Sequence, residues 1–177
     1  MITGHVFIAA SQDGYIARPD GGLDWLMKQR TQGEDHGYEA FMASVDGLVM
    51  GRGSFETVLT FDDWPYAKPV VVMSRSLTND DIPDALKSRV RLTALSPEEL
   101  MRQLAADGWA RVYVDGGEVV QSFLRAGLIA DITLTRIPIL IGEGRPLFGD
   151  LERDIDLEHI ATRAYPSGLV RSEFRVL

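Results

Sequence analysis

The sequence predicts an α/β fold: a three-layer αβα sandwich with a mainly parallel mixed sheet ending in an antiparallel C-terminal hairpin. Three observations lead there. Short apolar runs alternate with helical stretches up to about residue 130, the rhythm of strand-helix-strand units whose sheet is covered on both faces. Beyond that point the patterns are strand alone, ending in Leu157 to Thr162 and Leu169 to Val176 around a Pro166-Ser167-Gly168 turn. At 177 residues, 45% hydrophobic and 25% charged, the chain has the size of one domain over residues 1–177.

Taken in order, Gly4 to Ala10 reads as a first, buried strand. The Ser11 to Gly22 loop carries Asp13-Gly14 and Pro19-Asp20-Gly21-Gly22 and is longer than a plain connection needs. It is either a loop that closes over a ligand or an ordinary surface excursion. A helix is expected from about Asp35 to Ser44, with Tyr38, Phe41, Met42 and Val45 at helical spacing. Asp35, at its start, is either an N-cap or, with a pocket beside it, a catalytic carboxylate.

Gly47 to Met50 is the next strand, and it runs into Gly51-Arg52-Gly53-Ser54. The strand Val70 to Met73 ends at Ser74 and Arg75, and Val90 to Thr93 precedes Ser96-Pro97-Glu98-Glu99, a helix start with proline at the first helical position. The strand Val112 to Val114 passes through Asp115, Gly116 and Gly117 into a helix with Val119, Val120, Phe123 and Leu124 on one face. Ile129 to Ile141 reads as strand.

Composition removes several function classes. The 18 basic and 26 acidic residues give a net charge of -8, which argues against a nucleic-acid partner or an acidic-membrane surface and makes any phosphate site local. With no cysteine there is no disulfide, thiolate metal site or cysteine nucleophile. His5, His36 and His159 lie far apart without metal-ligand spacing, so no metal is expected. The run Val6 to Ala10 is too short for a signal segment or a membrane span, and a soluble, cytoplasmic protein is expected.

Two strand-to-helix turns carry the chemistry. At Gly116 and Gly117 the missing Cβ atoms permit positive φ and close approach of a diphosphate, while the helix start offers unpaired N–H groups. Taken singly, this is equally a tight turn without ligand. The Gly51 to Ser54 turn repeats the design, with Arg52 adding a fixed, forked charge and Ser54 a cap or phosphate hydrogen bond. Two such turns suit a ligand with two anionic centres. Ser74 and Arg75 suit an adenosine 2′-phosphate, where an NAD site more often has an acidic residue; the alternative is a merely exposed arginine. Neither turn has Gly-x-Gly-x-x-Gly spacing.

Met50-Gly51-Arg52-Gly53-Ser54-Phe55-Glu56, Val70 to Arg75, and Val114-Asp115-Gly116-Gly117 together resemble the dihydrofolate reductase superfamily. Within it, Ser11 to Ala17, the Asp115-Gly116-Gly117 turn and Gly142 to Phe148 are similar to the C-terminal reductase domain of the bifunctional riboflavin deaminase-reductase, here in stand-alone form. The resemblance covers nearly the whole chain. It implies NADPH across the C-terminal edge of the sheet, held by Gly51, Arg52, Gly53 and Ser54 on one side and Gly116, Gly117, Glu118 and Val119 on the other. Ser74 and Arg75 would take the 2′-phosphate, and Ala10 and Ile16 would border the nicotinamide. Trp25, Tyr38 and Phe41 would line the substrate side. Asp35 lies at the distance before Gly51 expected of the acid that faces the pterin in dihydrofolate reductases. Asp115 stands where those enzymes carry a third glycine and the riboflavin enzymes a glutamate; it is either a substrate contact or a turn-stabilising aspartate.

The function so implied is NADPH-dependent hydride transfer to a heterocyclic or ribosylated substrate, with 5-amino-6-(5-phosphoribosylamino)uracil reduction as the leading candidate. Dihydrofolate reduction and a non-catalytic NADP(H)-binding module are the alternatives. The apolar Ile137 to Ile141 run and the terminal strands could also form a homodimer surface.

Overall fold

Side-chain parity along the central strands decides the architecture. Val49, Val71, Val112 and Val114 are buried on one face, and their neighbours Leu48, Met50, Val70, Val72 and Tyr113 on the other. A strand buried on both sides needs a layer on each. The computed structural model, which describes all of residues 1–177, has those layers.

The strands are β1 (Thr3–Ser11), β2 (Tyr15–Ala17), β3 (Gly47–Gly51), β4 (Val70–Met73), β5 (Val90–Thr93), β6 (Arg111–Asp115), β7 (Ile129–Ile137), β8 (Arg145–Pro146), β9 (Leu157–Ala164) and β10 (Val170–Val176). The helices are α1 (Asp24–Met27), α2 (Tyr38–Ser44), α3 (Arg52–Val58), α4 (Pro97–Ala106) and α5 (Gly117–Arg125). The main sheet has eight strands in the order β5-β4-β3-β6-β1-β7-β10-β9. Every pairing from β5 to β7 is parallel, while β10 pairs antiparallel with both β7 and β9. This is the expected mainly parallel mixed sheet with an antiparallel C-terminal hairpin.

Helices α4 and α5 cover one face, burying Leu100, Met101 and Leu104 from the first and Val119, Val120, Phe123 and Leu124 from the second. The start of α4 is fixed as its sequence dictates: Glu99 N–H donates to Ser96 Oγ at 3.2 Å, and Ser96 N–H to Glu99 Oε2 at 3.0 Å. Helix α3 buries Phe55 and Val58 on the opposite face, where Phe41 and Met42 of α2 also pack.

Two boundaries differ from expectation. The helix expected from Asp35 begins at Tyr38, because Gly37 at φ +81° breaks the helical path. The strand expected to reach Ile141 stops at Ile137; Pro138 has no N–H for a ladder, and Ile139 N–H turns back to Ile137 O at 2.8 Å. Residues 138–147 instead return as a strap. Its strand β8 pairs with β2, Leu147 N–H donates to Gly14 O at 3.0 Å, and Asp13 Oδ2 accepts from Gly142 N–H at 2.8 Å and Ile141 N–H at 3.1 Å. The Ser11 to Gly22 loop is therefore tied down against the strap.

Candidate active site

Strands β3 and β6 lie side by side, yet α3 leaves β3 toward one face of the sheet and α5 leaves β6 toward the other. Adjacent parallel strands whose connections diverge open a crevice at their C-terminal ends, the usual ligand position in open α/β sheets. Both glycine turns identified in the sequence sit there, and they touch. A Cβ on Gly116 would collide with Ser54 Oγ, and one on Gly51 would lie 3.1 Å from Val119 Cγ2. Gly116, at φ +89°, is the only one of the four turn glycines in the left-handed region. The others are glycine because protein atoms crowd them: Pro146 O over Gly117, with Ile16 Cδ1 at 3.3 Å, and Arg145 Nη1 2.7 Å from the Cβ position of Gly53. Each helix start leaves its first N–H groups without intrahelical partners, so Gly53, Ser54, Gly117, Glu118 and Val119 present backbone donors to one crevice.

The charged end of the crevice assembles from β3 and β4. Arg52 Nη1 donates to Ser76 Oγ at 3.1 Å, joining the first turn to the Ser74-Arg75-Ser76 segment. Ser74 Oγ accepts from Ser76 N–H and Leu77 N–H at 3.2 and 3.0 Å, fixing that segment as a turn. Arg75 is exposed, and none of the chain's arginine ion pairs involves it. Sequence reasoning missed Ser76, though a second serine two residues after Ser74 was the available signal. It also missed Arg145, which lies against Gly53 and donates to Pro19 O at 3.3 Å.

At the other end stands Asp115, the last residue of β6 and partly buried. It shares its face with Tyr113, whose Oη lies 3.3 Å from Asp115 Oδ1 and donates to Phe7 O at 2.8 Å. Around them the rings of Phe7, Tyr38, Phe41 and Tyr113 form an aromatic wall, with centroids 5.8 Å apart for Phe7–Tyr38, 4.9 Å for Phe7–Phe41 and 5.0 Å for Phe41–Tyr113. Tyr38 remains 40% exposed, enough to meet a ligand. Burial pushes the Asp115 carboxyl above the usual carboxylate range, against the opposing pull of the Tyr113 hydroxyl and Gly116 N–H. Tyr66 and Tyr113 are raised as well, first by burial and then by Asp115. Tyr66 carried no signal, because it reaches the site from a loop.

Two predicted site residues are placed elsewhere. Asp35 is exposed and its Oδ1 accepts from Gly37 N–H at 2.7 Å; it shapes the turn before α2 and is not the N-cap. Trp25 is 0% exposed, enclosed with Ile137, Tyr165 and Leu169, a cluster separate from the aromatic wall. Ala10 is likewise buried, in the core cluster that α4 and α5 cover. A cavity of about 590 Å³ lies apart from the crevice, between Lys28, Arg30, Glu34 and Ser167, and has no hydrophobic wall with which to hold a ring.

A dinucleotide phosphate fits this donor set. Converging backbone N–H groups suit the diphosphate, Arg52, Arg75 and the serines a further phosphate, and the aromatic wall with Asp115 a ring. No group of three or more histidine, cysteine, aspartate or glutamate side chains is arranged to hold a metal ion.

Known proteins share this fold. A protein of Shewanella sp. PV-4 assigned provisionally to riboflavin biosynthesis is 40% identical, with a TM-score of 0.92 over 99% of each chain. The uncharacterized Bacillus subtilis protein YwjB is 30% identical over 164 residues, covering 90% of either chain. A Thermotoga maritima diaminohydroxyphosphoribosylaminopyrimidine deaminase/5-amino-6-(5-phosphoribosylamino)uracil reductase, 14% identical with a TM-score of 0.76, shares the fold over 99% of this chain and 57% of its own. The profile of the RibD C-terminal domain matches residues 3–171, and the chain belongs to that family.

Proposed function

We propose that this protein is an NADPH-dependent reductase that delivers hydride to a C=N or C=O carbon of a heterocyclic or ribosylated substrate, with 5-amino-6-(5-phosphoribosylamino)uracil the first to test. The observation that carries the reading is the contact of the two glycine turns where α3 and α5 diverge, with Arg52, Ser76 and Arg75 at one end and Asp115 at the other. A bound NADPH would supply the hydride. The protein's share is position: helix-start N–H groups and Arg52 for the diphosphate, Arg75 with Ser74 and Ser76 for the 2′-phosphate, and the aromatic wall for the substrate ring. The test is titration with NADPH and NADH, followed by tryptophan fluorescence, on wild type and Arg75→Ala. Tight NADPH binding, weaker NADH binding and loss of that preference in the variant are expected. If neither nucleotide binds, the reading fails. Turnover of dihydrofolate alone would favour the folate reaction, and saturable binding without any turnover a non-catalytic module.

We also propose a homodimer through the C-terminal strands. Every residue of the edge strand β9 is exposed, Leu157 and Ile160 among them, beside a groove lined by Ile132, Leu134, Phe148 and Phe174. Sedimentation is expected to give a dimer that Ile160→Glu converts to monomer; a monomeric wild type at micromolar concentration rejects it.

A further inference from the structure

We propose that the polar cavity beside the β9–β10 turn is a subsite for an anion at the far end of the substrate. The substrate class is then a planar ring joined through an arm to a phosphate or a carboxylate. The inference rests on the reductase reading above.

The cavity is lined by Lys28, Gln29, Arg30, Gln32 and Glu34 on one side and by the Pro166-Ser167 turn on the other. Its two cations stand out in a chain of net charge -8: both are exposed, and neither enters any of the chain's ion pairs. Their charge is free to meet a ligand. The acid on the wall is already engaged, because Glu34 Oε1 and Oε2 accept from Ser167 N–H and Oγ at 2.8 and 2.7 Å, and Oε2 lies 3.2 Å from His36 Nε2. Glu34 therefore ties the segment before α2 to the hairpin turn and fixes the shape of the cavity. A second observation points to a ligand. Trp25 Nε1 and Tyr165 Oη, in residues 0% and 6% exposed, are buried without a hydrogen-bond partner. The Trp25 carbonyl accepts from the lining residue Gln29 at 2.8 Å, and Tyr165 directly precedes the lining turn. Buried donors are almost always paired, so two orphans beside one polar wall leave hydrogen-bonding capacity that the fold does not use.

The cavity and the aromatic wall lie along one surface. Phe7 and Ala9 share a face of β1, Thr135 is the partner of Ala9 on β7, and Arg171 is the partner of Thr135 on β10. From that face Arg171 Nη1 donates to His36 O at 2.6 Å, while its Nη2 is held by Glu173 at 2.5 Å. Arg171 thus anchors the 34–38 segment over the sheet and has its own counter-ion. Glu34 at one end of the segment lines the cavity, and Tyr38 at the other stands 5.8 Å from Phe7 in the aromatic wall. Four residue steps reach at most about 14 Å, within the length of one elongated substrate. At the ring end the ionisable groups that act on one another are Asp115 and the phenols of Tyr38, Tyr66 and Tyr113, with no cation among them. An anion on the substrate is therefore held further along, where Lys28 offers a point charge, Arg30 a fork, and Gln29 and Gln32 amide donors.

The test separates the arm from the ring. Protein saturated with NADPH, so that its cofactor phosphate sites are filled, is titrated calorimetrically with ribose 5-phosphate and with p-aminobenzoylglutamate, two anionic arms without a reducible ring. At least one should saturate, the first assigning a phosphate and the second a carboxylate. Lys28→Ala combined with Arg30→Ala should weaken that binding tenfold or more with NADPH affinity unchanged, whereas Lys28→Arg should keep it. With the full substrate that carries the same arm, the double variant should raise KM by a similar factor and leave kcat unchanged. Saturation by neither probe, or binding that the double variant does not weaken, overturns the subsite while the reductase reading stands. If NADPH itself does not bind, yet the ligand-free protein takes an arm through Lys28 and Arg30, the reductase reading fails and the anion site remains.

Discussion

At the N-terminal ends of the strands, Asp46 Oδ2 accepts from Ala110 and Arg111 N–H at 2.6 and 2.9 Å, and Asp131 Oδ2 lies 2.6 Å from His5 Nδ1. At the C-terminal ends, Asp115 has one phenol at 3.3 Å and one backbone N–H. The first two carboxylates each tie one strand to its neighbour. The partners of Asp115 lie on its own strand and in the turn after it, in the one place where two helices diverge. The difference teaches where a fold keeps its polar groups satisfied and where it leaves them available for chemistry.

If the N-terminal end is a clamp, breaking it should cost stability and leave nucleotide binding intact. His5 is 1% exposed, with Nε2 2.9 Å from Thr3 Oγ1 and the Arg111 guanidinium 3.3 Å from Nδ1. His5→Ala opens a cavity and strands polar partners, so a loss of about 3 kcal/mol is expected in urea unfolding, with the NADPH dissociation constant unchanged. A large change in NADPH affinity would mean that the two ends are coupled.

A paired glycine test sharpens the contrast. A Cβ on Gly47, at the N-terminal end of β3, would run into the Trp109 ring, and one on Gly116 into Ser54 at a φ of +89°. Each alanine substitution should cost about 2 kcal/mol, one by overpacking and one by backbone strain. Only Gly116→Ala should also weaken NADPH binding, by about tenfold or more, because it disturbs the turn that presents the helix-start donors. Equal effects on binding would make the crevice an ordinary packing junction.

What was legible in the sequence follows the same divide. The apolar runs and the Ser96 to Glu99 capping box predict their elements because local pattern and burial agree there. The glycine turns were legible as a pair, though their contact through Ser54 and Val119 depends on β6 inserting between β3 and β1, which no local pattern encodes. Asp35 misled for a related reason. An aspartate ahead of an apolar helical face is a helix-start signal, but Gly37 takes the left-handed conformation and moves the helix start to Tyr38. Tyr113 and Asp115 were two residues apart on one strand face all along. Their neighbours Phe7 and Tyr66 come from distant parts of the chain, so the cluster emerges only in three dimensions.

The smallest effect expected is also the most discriminating, because its sign differs between the two ends. Backbone N–H groups of Arg111 and Ala110 hold the Asp46 carboxyl below its usual range. A carboxyl depressed on folding contributes stability above its unfolded pKa of about 4 and loses it as the pH falls through the folded value. Asp46→Asn should therefore cost about 1 kcal/mol at neutral pH, after allowance for its exposure, and the deficit should shrink in acid. Asp115 runs the other way. Its carboxyl is raised by burial, so the folded state binds the proton more tightly than the unfolded chain. Its stability contribution is complete below about pH 4 and lost as the pH rises through the folded value. Asp115→Asn removes that loss, and its thermal midpoint at neutral pH should equal or exceed that of wild type even as turnover falls. Thermal unfolding of both variants at pH 4 and pH 7 reads the two signs directly. If both substitutions destabilise at neutral pH, Asp115 is a clamp like Asp46. If they diverge, the chain keeps an acid where the fold gains nothing from its charge, as a residue retained for chemistry should be.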